Sequence, residues 1–200
     1  MNEYPLFFTP GEVSVRSAEG RPTVIFGYAA LFNERSRTIT TKRGLQFTEV
    51  ITPGAFDGTD FSAVECRFNH EVFLAAEPTL EFGVDARGLW YQYEHDASDP
   101  DHARTLRRIE RREIKGSSFR FVEPSESEQE LRNDSGHILR IIKKIPMVVD
   151  VGPVIRPAYE ATTAFARMLD TMSEEAEAIA KKETERQEIL NRRLREARAF

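Results

Sequence analysis

Residues 80–94 read LEFGVDARGLWYQYE, and this stretch decides the fold class because it predicts a β-hairpin. The turn segment Asp85-Ala86-Arg87-Gly88 carries a glycine where a positive φ is expected, and it joins two apolar segments. In the second segment Leu89, Tyr91 and Tyr93 fall on one face, while the intervening residues fall on the other. Alternation with period two is typical of a strand, so the chain is expected to be rich in antiparallel sheet.

The same alternation recurs between Gly, Pro and Asp residues through the first 155 residues. Short strands in such number are typical of a barrel or another closed sheet. The expected fold is mainly β with flanking helices (α+β), built around a closed or partly closed β-barrel. The predicted strands are Glu12 to Arg16, Thr23 to Leu31, Gln46 to Ile51, Val64 to Asn69, Leu80 to Val84, Leu89 to Glu94, Ser118 to Val122, Ile138 to Ile145 and Val148 to Ile155.

Helical patterns occur at two places along the chain. The first helix is predicted to begin at Ser98-Asp99-Pro100, an N-cap candidate followed by proline, and to end at Gly116. A shorter helix is predicted after Pro157. The tail carries acidic residues first and arginines last, an order that suits a helix dipole, but its apolar stripe is too thin for a core helix. We therefore expect one domain of strands and helices at residues 1–170 and a charged helical extension at residues 171–200.

Composition limits the function classes. The 200 residues carry a formal net charge of −5, with 40% hydrophobic and 30% charged residues. This negative balance argues against a general nucleic-acid binder and favours a protein or peptide partner. One cysteine cannot form an internal disulfide, and no apolar segment is long enough to span a membrane. Because the N-terminus also lacks the features of a signal peptide, we expect a soluble, cytoplasmic protein.

Two short segments carry the candidate chemistry: Arg67-Phe68-Asn69-His70-Glu71 and Lys115-Gly116-Ser117-Ser118-Phe119-Arg120-Phe121. A serine hydroxyl is a useful nucleophile only when an adjacent base removes its proton, which histidine does near neutral pH. His70 ends an apolar strand, whereas the other histidines are expected to face solvent. Ser118 is expected on an open or polar strand face, with Ser117 as the competing nucleophile. A satisfied core histidine and turn or capping serines are the alternatives. The other histidines are His95, His102 and His137.

A third residue would hold the second imidazole nitrogen and stabilise the imidazolium. Asp150 is the best candidate, because it interrupts an apolar run and a buried carboxylate needs a partner. A charge at a strand edge or bulge is the alternative. Cys66 is interpreted as a buried structural cysteine. No cluster of His, Cys, Asp and Glu has the spacing of metal ligands, so neither a metal nor a cofactor is expected.

Six segments in order show a family resemblance. They are FGYAALF at 26–32, EVITPGAF at 49–56, FNHE at 68–71, GLWY at 88–91, KGSSFRF at 115–121 and DVGPVIRPAY at 150–159. In this series the chain resembles the prohead (procapsid maturation) serine proteases of tailed phages, relatives of the assemblin-type herpesvirus assembly proteases. The resemblance implies a β-barrel of the herpesvirus-protease type. It also implies that His70 is the base, Ser118 the nucleophile and Asp150 the acidic third residue, at a position where the family commonly has glutamate.

Three positions depart from the family pattern. Ser117 stands where an apolar residue such as methionine is more usual, Arg120 where glycine is common, and Gly152 where serine is common. The first makes Ser117 a competitor of Ser118 for the nucleophile's role. The other two put the shape of the substrate pocket in doubt.

The resemblance implies a serine endopeptidase that cleaves the scaffold segment and the major capsid protein during prohead maturation and also cuts itself. It would work in the host cytoplasm inside the assembling prohead. Its partners would be these protein substrates, with no nucleic acid and no membrane, and a homodimer is left open. Two other classes stay open: a catalytically silent capsid-assembly or scaffold subunit of the same fold, and a hydrolase of small esters.

Overall fold

A computed structural model describes residues 6–17, 19–20, 22–134, 137–155 and 164–197. These residues form twelve strands and two α-helices. A short 3-10 helix spans Glu126–Glu128. The strands are β1 Leu6–Arg16, β2 Val24–Leu31, β3 Ile39–Thr40, β4 Gln46–Ile51, β5 Glu65–Phe68, β6 Val72–Ala75, β7 Leu80–Val84, β8 Gly88–Glu94, β9 Gly116–Phe121, β10 Gln129–Asp134, β11 His137–Ile142 and β12 Val148–Val154; the helices are α1 Pro100–Glu110 and α2 Ala164–Ala197.

Eight strands form the larger sheet, in the order β6-β5-β12-β9-β1-β2-β8-β7. Neighbours in this sheet are antiparallel except β12 and β5, which run parallel. The β7–β8 hairpin is the one that the opening stretch predicts, with Val84 paired to Leu89. Its apolar face enters the core, where Leu89, Tyr91 and Tyr93 are buried. The strands β5, β12 and β9 lie side by side, and they bring together segments that are far apart in sequence.

The remaining strands form a second sheet in the order β10-β11-β4-β3. Its central pair, β11 and β4, is parallel. Isolated bridges between Phe32 and Ile51 and between Arg35 and Val50 tie β4 of this sheet to the segment that follows β2. A continuous cluster of buried apolar side chains, which includes Phe119, Phe121 and Ile142, therefore receives residues from both sheets.

The helix α1 is capped by Asp99, whose Oδ1 accepts hydrogen bonds from the Asp101 N at 2.7 Å and the His102 N at 3.3 Å. Proline at the first helical position suits this start, because its missing N–H would have no partner inside the helix. The helix ends at Glu110, short of the predicted stop at Gly116, and Arg112 has a positive φ of 58°. The helix thus delivers the chain to β9 through a short loop.

The helix α2 is 34 residues long and runs through position 170/171, where the sequence predicts a domain boundary. The predicted helix after Pro157 is in part outside the described residues, and its described part is the start of α2. Leu169 packs against Phe47 of the second sheet. Arg43 anchors the helix through Asp170 and through ion pairs with Glu174 and Glu177. Most of the side chains described from 171 to 185 are exposed.

The prediction of a mainly β fold with flanking helices is confirmed. All nine predicted strands are present, whereas β3, β6 and β10 were not predicted. The barrel is not confirmed, because the strand pairing among the described residues leaves both sheets open, with β6 and β7 at the two edges of the larger one. Neither described helix is apolar enough over a sufficient length to cross a membrane.

Candidate active site

Ser118 lies in the middle of β9, between β12 and β1. Successive side chains of a strand point to opposite faces, so Phe119 and Phe121 enter the core while Ser118 and Arg120 share the other face. Both phenylalanines are fully buried, which fixes the orientation of the strand. In the ladder between β9 and β12, Ser118 is paired with Gly152 and Arg120 with Asp150.

His70 follows β5 in a tight turn. Asn69 and His70 both have left-handed backbone conformations, with φ of 51° and 62°. Asparagine adopts this conformation more readily than most residues, whereas a second such residue has to be held by its surroundings. The end of β12 supplies this support: Asn69 N donates to the Pro153 carbonyl at 3.0 Å, and Ile155 N donates to Asn69 Oδ1 at 2.9 Å.

Two hydrogen bonds connect three side chains from these strands. His70 Nε2 lies 3.0 Å from Ser118 Oγ, and His70 Nδ1 lies 2.6 Å from Asp150 Oδ1. With Asp150 ionised, its oxygen can only accept, so Nδ1 carries the proton and Nε2 offers its lone pair to the serine hydroxyl. The structure therefore brings together all three residues predicted for the site, in a hydrogen-bonded chain from Ser118 through His70 to Asp150.

The site is enclosed. Ser118 and Asp150 are 0% exposed, and the His70 side chain is 8% exposed. The sequence predicts an open or polar face for Ser118; the face is polar, but it is not open. Burial of the hydroxyl strengthens its hydrogen bond to His70, because the local dielectric is low. Burial also makes the Asp150 carboxylate costly unless both of its oxygens have partners.

Arg120 is the second partner of Asp150. Its Nε donates to Asp150 Oδ2 at 2.5 Å, and its Nη2 pairs with the same oxygen. Sequence reasoning linked Arg120 only to the shape of the substrate pocket and missed this contact. The signal was present in two places: Arg120 is two residues from Ser118 on a strand, and an arginine is the expected companion of a buried aspartate.

Ser117 occupies the opposite face of β9. Its Oγ lies 2.9 Å from the hydroxyl of Tyr91, and its exposed fraction is 1%. Burial raises the pKa of Tyr91 well above its usual value, so that the tyrosine stays protonated. Ser117 is thus a polar contact of the core, in a position where it cannot share the His70 base with Ser118.

Gly152 lies where β12 comes very close to the end of its parallel neighbour β5. A Cβ atom at this position would lie 2.0 Å from the carbonyl oxygen of Arg67, far inside any contact distance. Glycine therefore allows the end of β5 to approach β12 closely, directly before the turn that carries His70. Arg67 also donates through Nη1 to the Glu71 carbonyl at 2.9 Å, which closes that turn.

Cys66 and the other histidines lie outside the three-residue chain. Cys66 is buried, and burial together with the nearby Asp150 raises the pKa of its thiol well above the usual value, as befits a structural cysteine. The prediction that His102 faces solvent is wrong: it is 5% exposed, donates to the Leu74 carbonyl at 2.6 Å and accepts from Asp96 N. His95 is half-buried, and His137 is exposed as predicted.

The His102 contact has a structural consequence. Because Nδ1 accepts a backbone N–H, the proton is on Nε2, and the imidazole connects α1 to β6. These two elements lead into β9 and out of the His70 turn, respectively. Across the described residues, no group of three or more His, Cys, Asp or Glu side chains is arranged to hold a metal ion.

Comparison with known proteins identifies a family. The family model of the caudovirus prohead serine proteases matches residues 11–176, which include every strand from β2 to β12. No curated protein and no solved structure matches the chain. The relation to the herpesvirus assembly proteases stays a prediction. Since the family match covers most of its length, the chain belongs to the caudovirus prohead serine proteases and is a serine peptidase of phage capsid maturation.

Proposed function

We propose that Ser118 is the nucleophile of this peptidase, His70 its general base and Asp150 the residue that orients His70. The observation that carries the proposal is the pair of hydrogen bonds that joins the three side chains, at 3.0 Å and 2.6 Å. Family membership makes a serine nucleophile necessary, and Ser118 has a histidine within hydrogen-bond distance. Ser117, in contrast, is bonded to a tyrosine in the core.

The proposed reaction is acyl transfer to water. Ser118 Oγ attacks the peptide carbonyl while His70 Nε2 takes the hydroxyl proton, and Asp150 stabilises the imidazolium that forms. The same proton passes to the departing amine, which leaves an acyl-enzyme. His70 then deprotonates a water molecule, whose attack releases the acid and restores the serine. A base of this kind typically contributes about 10² to 10⁴-fold to the rate.

We further propose the substrates that the family suggests: the scaffold segment and the N-terminal region of the major capsid protein, cleaved inside the prohead in the host cytoplasm. The residue range 1–170 would be the protease domain and 171–200 an extension that binds the scaffold or is removed by autoprocessing. Arg43 ties the helix to the second sheet only as far as Glu177. Cleavage beyond that point would release the rest of the extension without breaking these contacts.

The decisive experiment is co-expression of the chain with its capsid protein. We expect capsid processing with the native chain and with Ser117→Ala, and no processing with Ser118→Ala. The two serines are adjacent and both buried, so Ser117→Ala is a matched control for the loss of a buried hydroxyl. Unchanged processing with Ser118→Ala would sink the assignment of the nucleophile.

The role of the extension is tested separately. A chain that ends at residue 177 keeps Leu169 and the Arg43 contacts, so it should fold normally. If the extension recruits the protease to the scaffold, this chain should label with a serine-directed probe as the full chain does but should be missing from purified proheads. Normal packaging and processing by the shortened chain would remove the proposed role.

The alternatives predict different observations. A catalytically silent assembly subunit would have Ser118 and His70 far apart, whereas Ser118 Oγ and His70 Nε2 lie 3.0 Å apart. A hydrolase of small esters would have its serine in an enclosed apolar pocket instead of an open groove lined by strands. Ser118 is enclosed, but its hydrogen-bond partner is the polar His70. The family match favours the peptidase over the ester hydrolase, and the short distance between Ser118 and His70 favours it over the silent subunit.

A further inference from the structure

We propose that Arg120 is a positioning residue of the site, which holds the Asp150 carboxylate against His70. The inference rests on the proposed roles of Ser118, His70 and Asp150. Arg120 would not touch the substrate; it would act through the carboxylate.

The geometry assigns one oxygen of the carboxylate to each partner. Asp150 Oδ1 lies 2.6 Å from His70 Nδ1, while Oδ2 takes both the Nε and the Nη2 of Arg120. This division follows from the ladder, because Arg120 and Asp150 are directly paired across β9 and β12. Asp150 therefore cannot rotate away from His70 without breaking its contact with the arginine.

The positive charge of Arg120 stabilises the buried Asp150 carboxylate. The Asp150 side chain is 1% exposed, so water cannot stabilise its charge. A carboxylate in such a place would be neutralised by protonation unless a cation balances it, and arginine is always protonated. An ionised Asp150 holds the proton on Nδ1, and the Nε2 lone pair is then directed at Ser118.

The other charges near the turn are already engaged. Arg67 of β5 pairs with Glu65 at 2.6 Å and donates to the Glu71 carbonyl. The buried Cys66 thiol stays protonated because its pKa is raised. The Arg120 side chain is 26% exposed, which is enough to tolerate replacement by another polar side chain.

The test is a double-mutant cycle on the full chain, read out as the rate at which a fluorophosphonate ester labels the active serine. The variants are Arg120→Gln, Arg120→Lys, Asp150→Asn and the double variant Arg120→Gln/Asp150→Asn. We expect Arg120→Gln to lower the labelling rate about 10 to 100-fold and Arg120→Lys to stay within about 5-fold of the native rate, because lysine keeps the charge. With Asp150→Asn present, Arg120→Gln should change the rate by less than about 3-fold.

A spectroscopic readout examines the same contact without any reagent. The proton between His70 Nδ1 and Asp150 should give a far-downfield proton NMR signal in the native chain and in Arg120→Lys. We expect the signal to weaken or vanish in Arg120→Gln. Arg104→Gln serves as the matched control, since Arg104 is an exposed arginine paired with Asp101. It should change neither readout.

The outcomes separate this inference from the proposed function. Native labelling and an intact downfield signal in Arg120→Gln would overturn the inference, as would an equal loss in the native and Asp150→Asn backgrounds. Undiminished labelling of Ser118→Ala would instead contradict the proposed nucleophile. Loss with Ser118→Ala but not with Arg120→Gln would leave the function standing and remove only the role of Arg120.

Discussion

The two sheets each bury a carboxylate beside an arginine, but they use the pair differently. In the larger sheet, Asp150 is bonded on one side by Arg120 and on the other by His70, so both of its oxygens are satisfied. In the second sheet, the fully buried Arg140 donates to Glu49 at 2.7 Å and also pairs with Glu123. Its Nε donates to Gln129 Oε1 at 2.6 Å.

The difference lies in what completes each cluster. At Asp150 the remaining partner is an imidazole, which can change its protonation and which reaches a hydroxyl. Around Arg140, two carboxylates share one cation, and among the described residues Glu49 Oε2 and Glu123 Oε2 have no hydrogen-bond partner. Burial raises the pKa of Glu49 and lowers that of Arg140. We infer that the cluster around Asp150 takes part in the reaction. The cluster around Arg140 instead holds β4, β11 and the segment after β9 together.

The largest expected effect separates the two clusters by function. His70→Gln should lower capsid processing about 10³ to 10⁴-fold, because it removes the base that takes the Ser118 proton. The free energy of unfolding should change by no more than about 1 kcal/mol, since glutamine can keep a polar contact in place of the imidazole. Processing assays and urea unfolding measure the two quantities. His137→Gln, at an exposed histidine, is the control; equal processing by both variants would contradict the comparison.

The second prediction concerns the other cluster. Arg140→Met should lower the free energy of unfolding by about 3 to 5 kcal/mol in urea, because it leaves buried carboxylates without their cation. The matched control is Arg35→Met, at a residue that forms an isolated bridge to Val50 of β4. Arg35 pairs with Asp134, but both side chains are about half exposed, so this loss should stay below about 1 kcal/mol. Similar losses for both arginines would show that the buried cluster does not fasten the sheet.

A third prediction tests the close approach of β12 and β5 at Gly152. Gly152→Ala should lower processing about 100-fold, because the added Cβ has to push away the Arg67 carbonyl and with it the His70 turn. Gly58→Ala is the control: its φ of 74° disfavours alanine, yet no atom lies within 4 Å of the added Cβ. The control should cost about 1 kcal/mol of stability and leave processing intact. Processing by Gly152→Ala at the native rate would show that the close approach of these two strands does not position His70.

The smallest expected effect is a pH dependence of stability. The folded chain raises the pKa of Glu49 above its usual 4.5, so the folded state holds a proton that the unfolded state releases. The stability contributed by this group is therefore present below about pH 4.5 and is lost as the pH rises through the folded pKa. From pH 4.5 to 7, native stability should fall relative to that of Glu49→Gln, by at most about 1.4 kcal/mol per pH unit. If the free energies of unfolding of the native chain and of Glu49→Gln, measured in urea, changed equally with pH, this prediction would be refuted.

Much of the fold could be predicted, because alternation and turn residues act locally. The strands that were missed are those in which the local pattern is weak. β3 has two residues and β6 has four, while β10 is a polar edge strand without buried side chains. Their pairing comes from neighbours distant in the chain, which periodicity cannot reveal.

The candidate site shows the same limit. Asp150 could be named because it interrupts an apolar run, His70 because it ends an apolar strand, and Ser118 because of its segment and the family resemblance; the structure brings the three together. The contacts of Arg120 and His102 depend on the register of β9 against β12 and on the packing of α1 against β6. Arg140 also interrupts an apolar run, but its partners Glu49 and Glu123 come from distant segments.

The complete burial of Ser118 has a kinetic consequence. A substrate can react only with molecules in which the site has opened, so the observed rate is the intrinsic rate multiplied by the open fraction. If about 1% of molecules were open, the resting enzyme would work about 100-fold below its capacity. A partner that binds the open form would then switch on proteolysis without altering a single group of the site. At such an open fraction the peptidase would stay nearly inactive until a partner opened the site.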